Sequence, residues 1–391
     1  MDFGSLEYEL LTPAKVVFGW GRRRQVAELA APLGRRALVI YGSRRLAEQG
    51  LLAELSRELK SKQLECAIVA CATREPHVDD VDRVTAALRQ HGASDGDFIL
   101  ALGGGSAIDL AKAAAAMATN AGSIVDYLEG VGTGRRLDER PLPILAMPTT
   151  AGTGSEATKN AVISSHDPPF KKSLRSEHLL PRAVLIDPEL TVSLPAAITI
   201  QTGMDAITQL IESYISRKAR PIPQALAVQG LKFALPAIRE VARDPGSRPA
   251  REAMAQAALL SGVALANSGL GMAHGVAAAL GIQHGVTHGL VCAVMLPIAL
   301  RANQETARES LAELGAEVLG ATGSRESLAN RFVTEIESLA AELEIPRSLG
   351  ALGVTSASIP DLVRGSRGNS MDGNPRQFTD QELRDLLEGH L

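Results

Sequence analysis

Four short apolar segments alternate with helix-like stretches along the first 150 residues, and this alternation is the strongest constraint on the fold. Several segments contain β-branched residues, as buried strands do. Strands that alternate with helices at this spacing form a parallel sheet covered by helices. The predicted strands are 36–42, 66–70, 97–105 and 143–148, and the predicted helices between them are Arg45–Lys60, Asp79–His91 and Ile108–Met117.

The pattern changes after Pro195, beyond which we find no convincing strand. The apolar run Leu290–Leu300 contains a proline and fits either a buried helix or a buried strand. The predicted helices, rich in Ala, Leu, Glu and Arg, are Thr199–Ser216, Pro223–Arg243, Arg251–Asn267, Ser310–Leu343 and Thr379–Leu391, the last with Thr379 as N-cap. We therefore predict an α/β domain over residues 1–195 and an all-helical domain over residues 196–391.

Composition excludes several classes of function. The 391 residues include 40 Lys and Arg against 44 Asp and Glu, a formal charge of −4 that offers no basic field to nucleic acid. No apolar segment reaches the roughly 18 residues that span a bilayer, and the opening MDFGSLEYEL has no apolar signal core. Three cysteines (Cys66, Cys71 and Cys292) make no disulfide framework. We expect a soluble, cytoplasmic protein with neither a nucleic-acid nor a membrane partner.

The third predicted strand leads into a glycine-rich turn made of Gly103, Gly104, Gly105 and Ser106, which opens a helix carrying Asp109. Glycine lets backbone N–H groups approach an anion closely, and a helix N-terminus adds partial positive charge. The turn therefore predicts a pyrophosphate site, although its spacing is not the usual G-x-G-x-x-G. A tight strand–helix turn without a ligand is the alternative.

A second polar turn follows the fourth predicted strand. It carries the hydroxyl groups of Thr149, Thr150, Thr153 and Ser155, which can wrap a ribose or a nicotinamide. A solvated loop is the alternative for this turn taken alone. Two such turns at the carboxyl ends of neighbouring strands indicate a ligand site, because ligands bind there in open α/β sheets.

Candidate metal ligands lie in the second half of the chain. Asp205 and Gln209 are four residues apart, so they share one face of a helix. His274, His284 and His288 lie in an apolar, glycine-rich stretch, and imidazole with carboxylate suits Zn²⁺ or Fe²⁺. The spacing of 14 between the first and last histidine is no metal signature, so core histidines bonded to backbone carbonyls remain the alternative.

Taken together, these motifs resemble the iron-containing (group III) alcohol dehydrogenase family. The matching stretches run in family order along nearly the whole chain and are ALGGGSAIDLAK, PTTAGTGSEAT, LIDPELTVSLP, TGMDAITQLIESYIS, GMAHG, HGLVCAVMLP and GNPRQFTDQEL. The resemblance implies a Rossmann-like α/β domain and an all-α domain, an architecture shared with dehydroquinate synthase, with NAD(P) and a metal in the cleft between them. It also implies a homodimer and hydride transfer between a small alcohol and an aldehyde or ketone.

The resemblance assigns the metal ligands residue by residue. The family's ligands fall on Asp205, His274 and His288, and its usual fourth ligand, a histidine, falls on Gln209. Gln209 is therefore predicted as a weaker, neutral ligand. A further family histidine near the nicotinamide falls on Ala278. We predict that His284 supplies a replacement proton path or ligand, with a histidine that only packs there as the alternative.

The choice of cofactor depends on the end of the first predicted strand. NAD-preferring relatives have an acidic residue there that bonds the ribose 2′-hydroxyl, and here the matching residue is Gly42. Ser43 can donate a hydrogen bond, and Arg44 and Arg45 can pair with a phosphate. These residues favour NADP, with two solvated arginines as the alternative. Lys171 completes the predicted cofactor-binding residues.

Three other functions stay open. The first is a metal-independent, maleylacetate-reductase-like enzyme. The glutamine at position 209, where the family has a histidine, favours this function, whereas the presence of Asp205, His274 and His288 argues against it. A lyase of the dehydroquinate synthase type needs several basic phosphate-binding residues in the helical half. The third is a non-catalytic nucleotide-binding protein. Loss of the site residues would favour this function, but the glycine turn is intact here.

Overall fold

The computed structural model describes residues 7–391, so the first six residues of the acidic opening segment lie outside it. Within the described range the strands are β1 (Val16–Phe18), β2 (Arg36–Tyr41), β3 (Glu65–Cys71), β4 (Asp97–Gly103), β5 (Ile144–Pro148), β6 (Asn160–His166), β7 (Pro169–Arg175) and β8 (Ala183–Ile186). Six of them form a parallel sheet in the order β1-β8-β5-β4-β2-β3, while β6 and β7 form an antiparallel hairpin.

Helices cover the sheet and make up the second half of the chain. Those that accompany the sheet are α1 (Val26–Ala30), α2 (Arg44–Glu48), α3 (Leu51–Ser61), α4 (Val78–Gln90) and α5 (Gly105–Thr119). The later helices are α6 (Ala196–Ile215), α7 (Pro221–Arg243), α8 (Arg248–Ala266), α9 (Met272–His284), α10 (His288–Asn303), α11 (Arg308–Leu319), α12 (Arg325–Glu342), α13 (Ile359–Gly365), α14 (Asn369–Asp372) and α15 (Asp380–Glu388).

The central strand β4 shows why the sequence forms this sheet. Every residue of β4 is buried, because helices cover both faces of the sheet. Ile99 and Ala101 pack in the core beneath α4 and α5. Phe98, Leu100 and Leu102 pack in the core beneath α1 and α3. A strand that is buried on both faces reads in sequence as a continuous apolar run.

The predicted fold class is confirmed, and the four predicted strands form β2 to β5. Two expected single helices are wrong, because each is a pair. The first pair is separated at Gly50 and the second at Gly320, whose φ angles of 81° and 61° lie in the left-handed region that interrupts a helix. Residues 290–300 belong to a helix rather than a strand, and Thr379 caps the last helix as expected.

The strands that the sequence analysis missed are short or polar. β1 and β8 contain three and four residues, and the hairpin formed by β6 and β7 carries few apolar side chains. All regular elements after Ile186 in the described part of the chain are helical. The division into domains at residue 195 remains a prediction. Among residues 7–391, no helix combines the length and apolar character needed to cross a membrane.

The topology brings the carboxyl ends of β2, β4 and β5 to one edge of the sheet, facing the later helices. The polar turn after β5 contacts α8 at two glycines. A side chain on Gly262 would place its Cβ 2.2 Å from the carbonyl oxygen of Gly154, whose own φ angle is 61°. Because neither glycine has a side chain, the backbone of this turn contacts the backbone of α8 directly. The edge of the sheet and the helical region therefore enclose a common cleft.

Candidate functional site

A cavity of about 350 Å³ lies in this cleft. Its walls come from the N-terminus of α5, the turn after β5, the β6–β7 hairpin and the later helices α6, α9 and α10. The sequence-predicted site residues that line it are Gly105, Ser106, Asp109, Thr153, Ser155, Lys171, Asp205, Gln209, His274 and His288. The predicted residues outside its lining are Gly42, Ser43, Gly103, Gly104, Thr149, Thr150 and His284.

The glycine turn fits tightly against its neighbours. Gly103 has a φ angle of 155°, and a Cβ on it would lie 2.9 Å from the Cα of Gly42. A Cβ on Gly104 would lie 3.0 Å from the Cγ2 of Thr150, so the two polar turns touch each other. α5 begins at Gly105 and directs its N-terminal turn at the cavity. This arrangement is suited to binding an anion.

Two charged side chains of α5, the buried Lys112 and the partly buried Asp109, hold the turn after β5 in place. Asp109 accepts hydrogen bonds from the Oγ of Ser155 and from the backbone N–H of Val162, the latter at 3.1 Å. Lys112 donates from Nζ to the carbonyl oxygens of Ser155 and Thr158 at 2.6 and 2.7 Å. Burial lowers the pKa of Lys112 to about 8 and raises the pKa of Asp109 above its usual value. These contacts make Asp109 and Ser155 a brace for the turn.

Three other predicted cofactor residues make contacts of their own. Thr149 donates its backbone N–H to the carbonyl oxygen of Gly103 at 3.0 Å. Ser43 caps α2 by accepting a hydrogen bond from the N–H of Arg45 at 3.2 Å. Lys171 reaches the cavity from β7 and pairs with Glu75 at 2.6 Å. Burial raises the pKa of Glu75, but the charge and hydrogen bond of Lys171 outweigh burial and leave it below the usual value.

Four side chains from three helices converge at the floor of the cavity. Asp205 on α6, His274 on α9, and His288 and Cys292 on α10 bring one ligand atom each to within 4.8 Å of all the others. The Oδ1 of Asp205 lies 3.3 Å from the Nε2 of His274 and 3.9 Å from the Nε2 of His288. The Sγ of Cys292 lies 3.7 Å from the Nε2 of His288. This donor set fits a divalent transition metal.

The metal-facing atoms of the cluster are short of partners. Asp205 Oδ1 and His274 Nε2 are buried, and neither has a hydrogen bond of good geometry in the described residues. Buried polar atoms without partners are costly, and a metal ion would satisfy them. Cys292 was missed by the sequence analysis, although its position four residues after His288 puts both side chains on one helix face.

Glu212, which the sequence analysis also missed, orients one of these histidines. Its carboxylate lies 2.7 Å from the Nδ1 of His274 and accepts hydrogen bonds from the backbone N–H groups of Gly271 and Ala273. Glu212 follows Asp205 by seven residues, so both lie on the same face of α6. A carboxylate behind a metal-binding histidine fixes its tautomer and leaves the other nitrogen free for the metal.

The cluster shifts the pKa values of its members in opposite directions. Burial raises the pKa of Asp205, but its close contact with His274 and the charges of the two histidines hold it below its usual value. Burial lowers the pKa of His274, but Cys292, Asp205 and Glu212 hold it well above its usual value. Burial lowers the pKa of His288 and raises the pKa of the Cys292 thiol to about 12.

Two expected residues have other surroundings. Gln209 donates from Nε2 to the carbonyl oxygen of Thr153 at 3.1 Å and accepts at Oε1 from the Oγ of Ser261 at 3.2 Å. It therefore ties α6 to the turn after β5 and to α8. His284 lies at the end of α9 beside Gly353, and the structure does not bring it to the cavity, whereas Ala278 lines the cavity.

Comparisons with known proteins find alcohol dehydrogenases that are similar to this chain over nearly its whole length. The family model described as iron-containing alcohol dehydrogenase matches residues 13–188, and the one described as Fe-containing alcohol dehydrogenase family, C-terminal, matches residues 199–391. Long-chain-alcohol dehydrogenase 1 of Geobacillus thermodenitrificans (strain NG80-2) is 32% identical, and 97% of each chain is covered. The 1,3-propanediol dehydrogenase of Klebsiella pneumoniae is 33% identical, covering 96% of this chain and 97% of that one. The crystal structure of a 1,3-propanediol oxidoreductase superposes with a TM-score of 0.91 at 30% identity, covering 98% of this chain and 100% of that chain.

Proposed function

The chain belongs to the iron-containing alcohol dehydrogenase family and is an oxidoreductase acting on CH–OH groups, and from this premise we propose that it is metal-dependent and uses NAD(P). In this proposal it transfers hydride between a nicotinamide and a small alcohol or carbonyl compound. The observation that carries the proposal is the convergence of the metal-binding cluster and the N-terminus of α5 on one cavity. The candidate metal ligands and the candidate pyrophosphate site thus lie at the same cavity.

The residues of the site have separate tasks in this reaction. Asp205, His274 and His288 hold the metal, and Glu212 keeps the Nε2 of His274 directed at it. When both are bound, the metal polarises the substrate oxygen and the nicotinamide accepts or donates the hydride. The N-terminus of α5 holds the cofactor pyrophosphate, and the cleft keeps bulk water away from the reacting atoms. Ala278 lines the cavity but has no imidazole, and His284 does not line the cavity. The proton of the alcohol therefore leaves through water or hydroxyl groups.

NADP is the cofactor that the end of β2 favours. Gly42 presents no carboxylate to repel a 2′-phosphate, and Ser43 follows it at the start of α2. Arg44 and Arg45 are exposed in the first turn of that helix. A guanidinium suits a phosphate group in both geometry and charge. NADP preference is therefore the finer part of the proposal.

Metal analysis combined with an activity screen tests the proposal. We expect about one divalent metal per chain, oxidation of small primary alcohols with NADP or NAD, and loss of activity with a chelator that added metal reverses. Asp205→Asn should abolish metal binding, whereas Asp244→Asn, in the surface turn between α7 and α8, should retain it. Full activity without metal would overturn the proposal in favour of a metal-independent reductase. Cofactor binding without turnover of any alcohol or carbonyl would favour a non-catalytic nucleotide-binding protein.

Three further expectations from the sequence remain predictions: a homodimer, a cytoplasmic location and a domain boundary at residue 195. Analytical ultracentrifugation tests the first, and limited proteolysis tests the last.

A further inference from the structure

We propose that the thiolate of Cys292 is the fourth protein ligand of the metal, in the place that the sequence assigned to Gln209. The site would then bind through one oxygen, two nitrogens and one sulfur. This inference rests on the proposed metal dependence and names the ligand set of that same site.

Three distances within the cluster are close to the edges of a coordination tetrahedron. With metal–nitrogen and metal–oxygen bonds of about 2.0–2.1 Å and a metal–sulfur bond of about 2.3 Å, neighbouring ligands are about 3.3 Å apart for N and O and about 3.6 Å apart for N and S. The corresponding distances here are 3.3 and 3.9 Å from Asp205 to the two histidines and 3.7 Å from Cys292 to His288. The distances between Asp205 and His274 and between Cys292 and His288 are thus near those of a bound site, and all four ligand atoms lie within 4.8 Å of one another.

Cys292 differs from an ordinary core cysteine in what its sulfur contacts. A free buried cysteine usually behaves as a small apolar side chain, and Cys292 is fully buried. Its sulfur, however, lies among a carboxylate and two imidazoles, with Asp205 and His274 both near enough to interact with it. Two of the neighbouring ligand atoms, Asp205 Oδ1 and His274 Nε2, are themselves buried without a well-formed hydrogen bond. Buried oxygen and nitrogen atoms that lack hydrogen-bond partners indicate a site for a bound ligand rather than ordinary core packing.

Helical spacing places the side chain of Cys292 beside that of His288. His288 and Cys292 are one turn apart on α10, so their side chains project from the same face. α6 supplies Asp205 and α9 supplies His274 from the opposite sides. Three packed helices therefore fix all four donors, which gives a more rigid site than a loop could.

The hydrogen bonds of Gln209 direct its amide to other partners. Its Nε2 and Oε1 are engaged by Thr153 and Ser261. Metal ligation through Oε1 would compete with the contact to Ser261, whose hydroxyl also donates to the carbonyl oxygen of Ala258 at 2.8 Å. Gln209 is better placed as a link between the metal helix α6 and the turn after β5.

A sulfur ligand changes the metal that the site prefers. Cys292 and Asp205 together place two negative charges on the ligand set, where an Asp and Gln pair would place one. Thiolate is a soft ligand that suits Zn²⁺, and Zn²⁺ already exceeds Fe²⁺ in general affinity for such sites. When the sulfur–metal bond forms, the S–H bond breaks and the proton leaves to solvent. We therefore infer a zinc-selective site in which the thiolate accounts for part of the selectivity.

Cobalt titration of metal-free protein tests the thiolate directly, because Co²⁺ bonded to a thiolate has an intense near-ultraviolet charge-transfer band that nitrogen and oxygen ligands do not produce. We expect this band in the wild-type protein and in Gln209→Ala. We expect Cys292→Ser to bind Co²⁺ through its visible ligand-field bands with at least tenfold weaker affinity and without the ultraviolet band. Cys71→Ser is the matched control for loss of a cysteine elsewhere and should retain the band.

The outcomes separate this inference from the proposed function. Ligand-field bands without a thiolate band in the wild type, or a thiolate band that survives in Cys292→Ser, would overturn the ligand assignment while leaving metal dependence intact. Failure of the wild type to bind Co²⁺ or Zn²⁺ would overturn both. Competition between Zn²⁺ and Fe²⁺ under anaerobic conditions provides a second readout. Cys292→Ser and Cys292→Ala should both lose at least tenfold of the zinc preference, and an unchanged preference in both would contradict the inference.

Discussion

The Nδ1 of His274 lies 2.7 Å from the Oε2 of Glu212, beneath the candidate metal ligands Asp205, His288 and Cys292. Glu212 is 3% exposed and also accepts hydrogen bonds from the N–H groups of Gly271 and Ala273 at 2.9 and 2.7 Å. Three donors thus converge on one carboxylate. This contact holds a proton on Nδ1 and leaves Nε2, which lies 3.3 Å from the Oδ1 of Asp205, as the nitrogen that can bind a metal.

We predict that Glu212→Gln weakens metal binding by about 10- to 100-fold. The amide replaces one acceptor oxygen by a donor, so at least one of the three N–H groups loses its partner. Metal affinity, measured by competition with a chromophoric chelator, is the readout. Glu313→Gln, which alters a glutamate bonded to the hydroxyl of Tyr214 on the other side of α6, is the control. Equal affinities in Glu212→Gln and wild type would mean that Glu212 only caps the start of α9.

Replacing Gly104 by valine tests the pyrophosphate site. A Cβ at this position would lie 3.0 Å from the Cγ2 and 3.2 Å from the Oγ1 of Thr150, and the remaining methyl groups would cover the backbone N–H groups of the turn. We expect the KM for the cofactor to rise about tenfold or more, equivalent to about 1.4 kcal/mol, with a smaller change in the KM for the alcohol. Gly246→Val, in the turn between α7 and α8, should change neither. Equal effects on both KM values would indicate general disruption instead.

Burial on both faces made the longer strands β2, β4 and β5 predictable from the sequence, but burial alone was not enough, because β8 is fully buried and too short to be recognised. β2, β4 and β5 are covered on both faces and so form continuous apolar runs, whereas β6 and β7 have a polar composition that indicates no strand. The apolar character of α9 and α10 is nearly uniform around each helix, because both are buried among other helices. Their periodicity therefore indicated neither a helix nor a strand.

The candidate site was predictable only in part. Asp205, His274 and His288 were found through their resemblance to family motifs, since their separations carry no metal signature of their own. The positions of Glu212 and Cys292 depend on how α6, α9 and α10 pack, which helical spacing within one element does not reveal. The role of Gln209 depends on Ser261, 52 residues further along the chain. His284 shares α9 with His274, but it lies at the far end of that helix, beside Gly353.

The buried carboxyl of Glu156 predicts a pH dependence of stability. Glu156 is 3% exposed, and burial raises its pKa from about 4.5 to about 7, with Lys112 opposing the shift. Between these two pH values the folded state binds more protons than the unfolded state, so the free energy of unfolding falls as pH rises. Glu156→Gln cannot ionise and escapes this loss.

We therefore expect Glu156→Gln to gain stability relative to wild type, by up to about 3 kcal/mol, as pH increases from 5 to 8. Urea denaturation at both pH values measures the difference. Glu240→Gln, at an exposed position on α7, controls for loss of a surface charge. A difference between Glu156→Gln and wild type that does not change with pH would contradict the prediction.

Cofactor selectivity can be tested at the end of β2 without disturbing the glycine turn. A Cβ on Gly42 would lie 3.1 Å from the Cα of Gly103 and 3.2 Å from the Cβ of Ala107, so a carboxylate there would also displace the turn. Ser43 is the better position. Its Oγ caps α2 by accepting the N–H of Arg45, and aspartate serves equally well as an N-cap.

We predict that the wild type prefers NADP and that Ser43→Asp lowers kcat/KM for NADP by about tenfold or more, because the new carboxylate repels the 2′-phosphate. The value for NAD should fall less or rise, since an acidic group there can bond the ribose 2′-hydroxyl. Ser43→Asn keeps the cap without the charge, so it should retain the wild-type preference and isolates the electrostatic effect. A tenfold preference of the wild type for NAD would overturn the prediction. Identical cofactor ratios in the aspartate and asparagine variants would show that the 2′-phosphate does not lie beside Ser43.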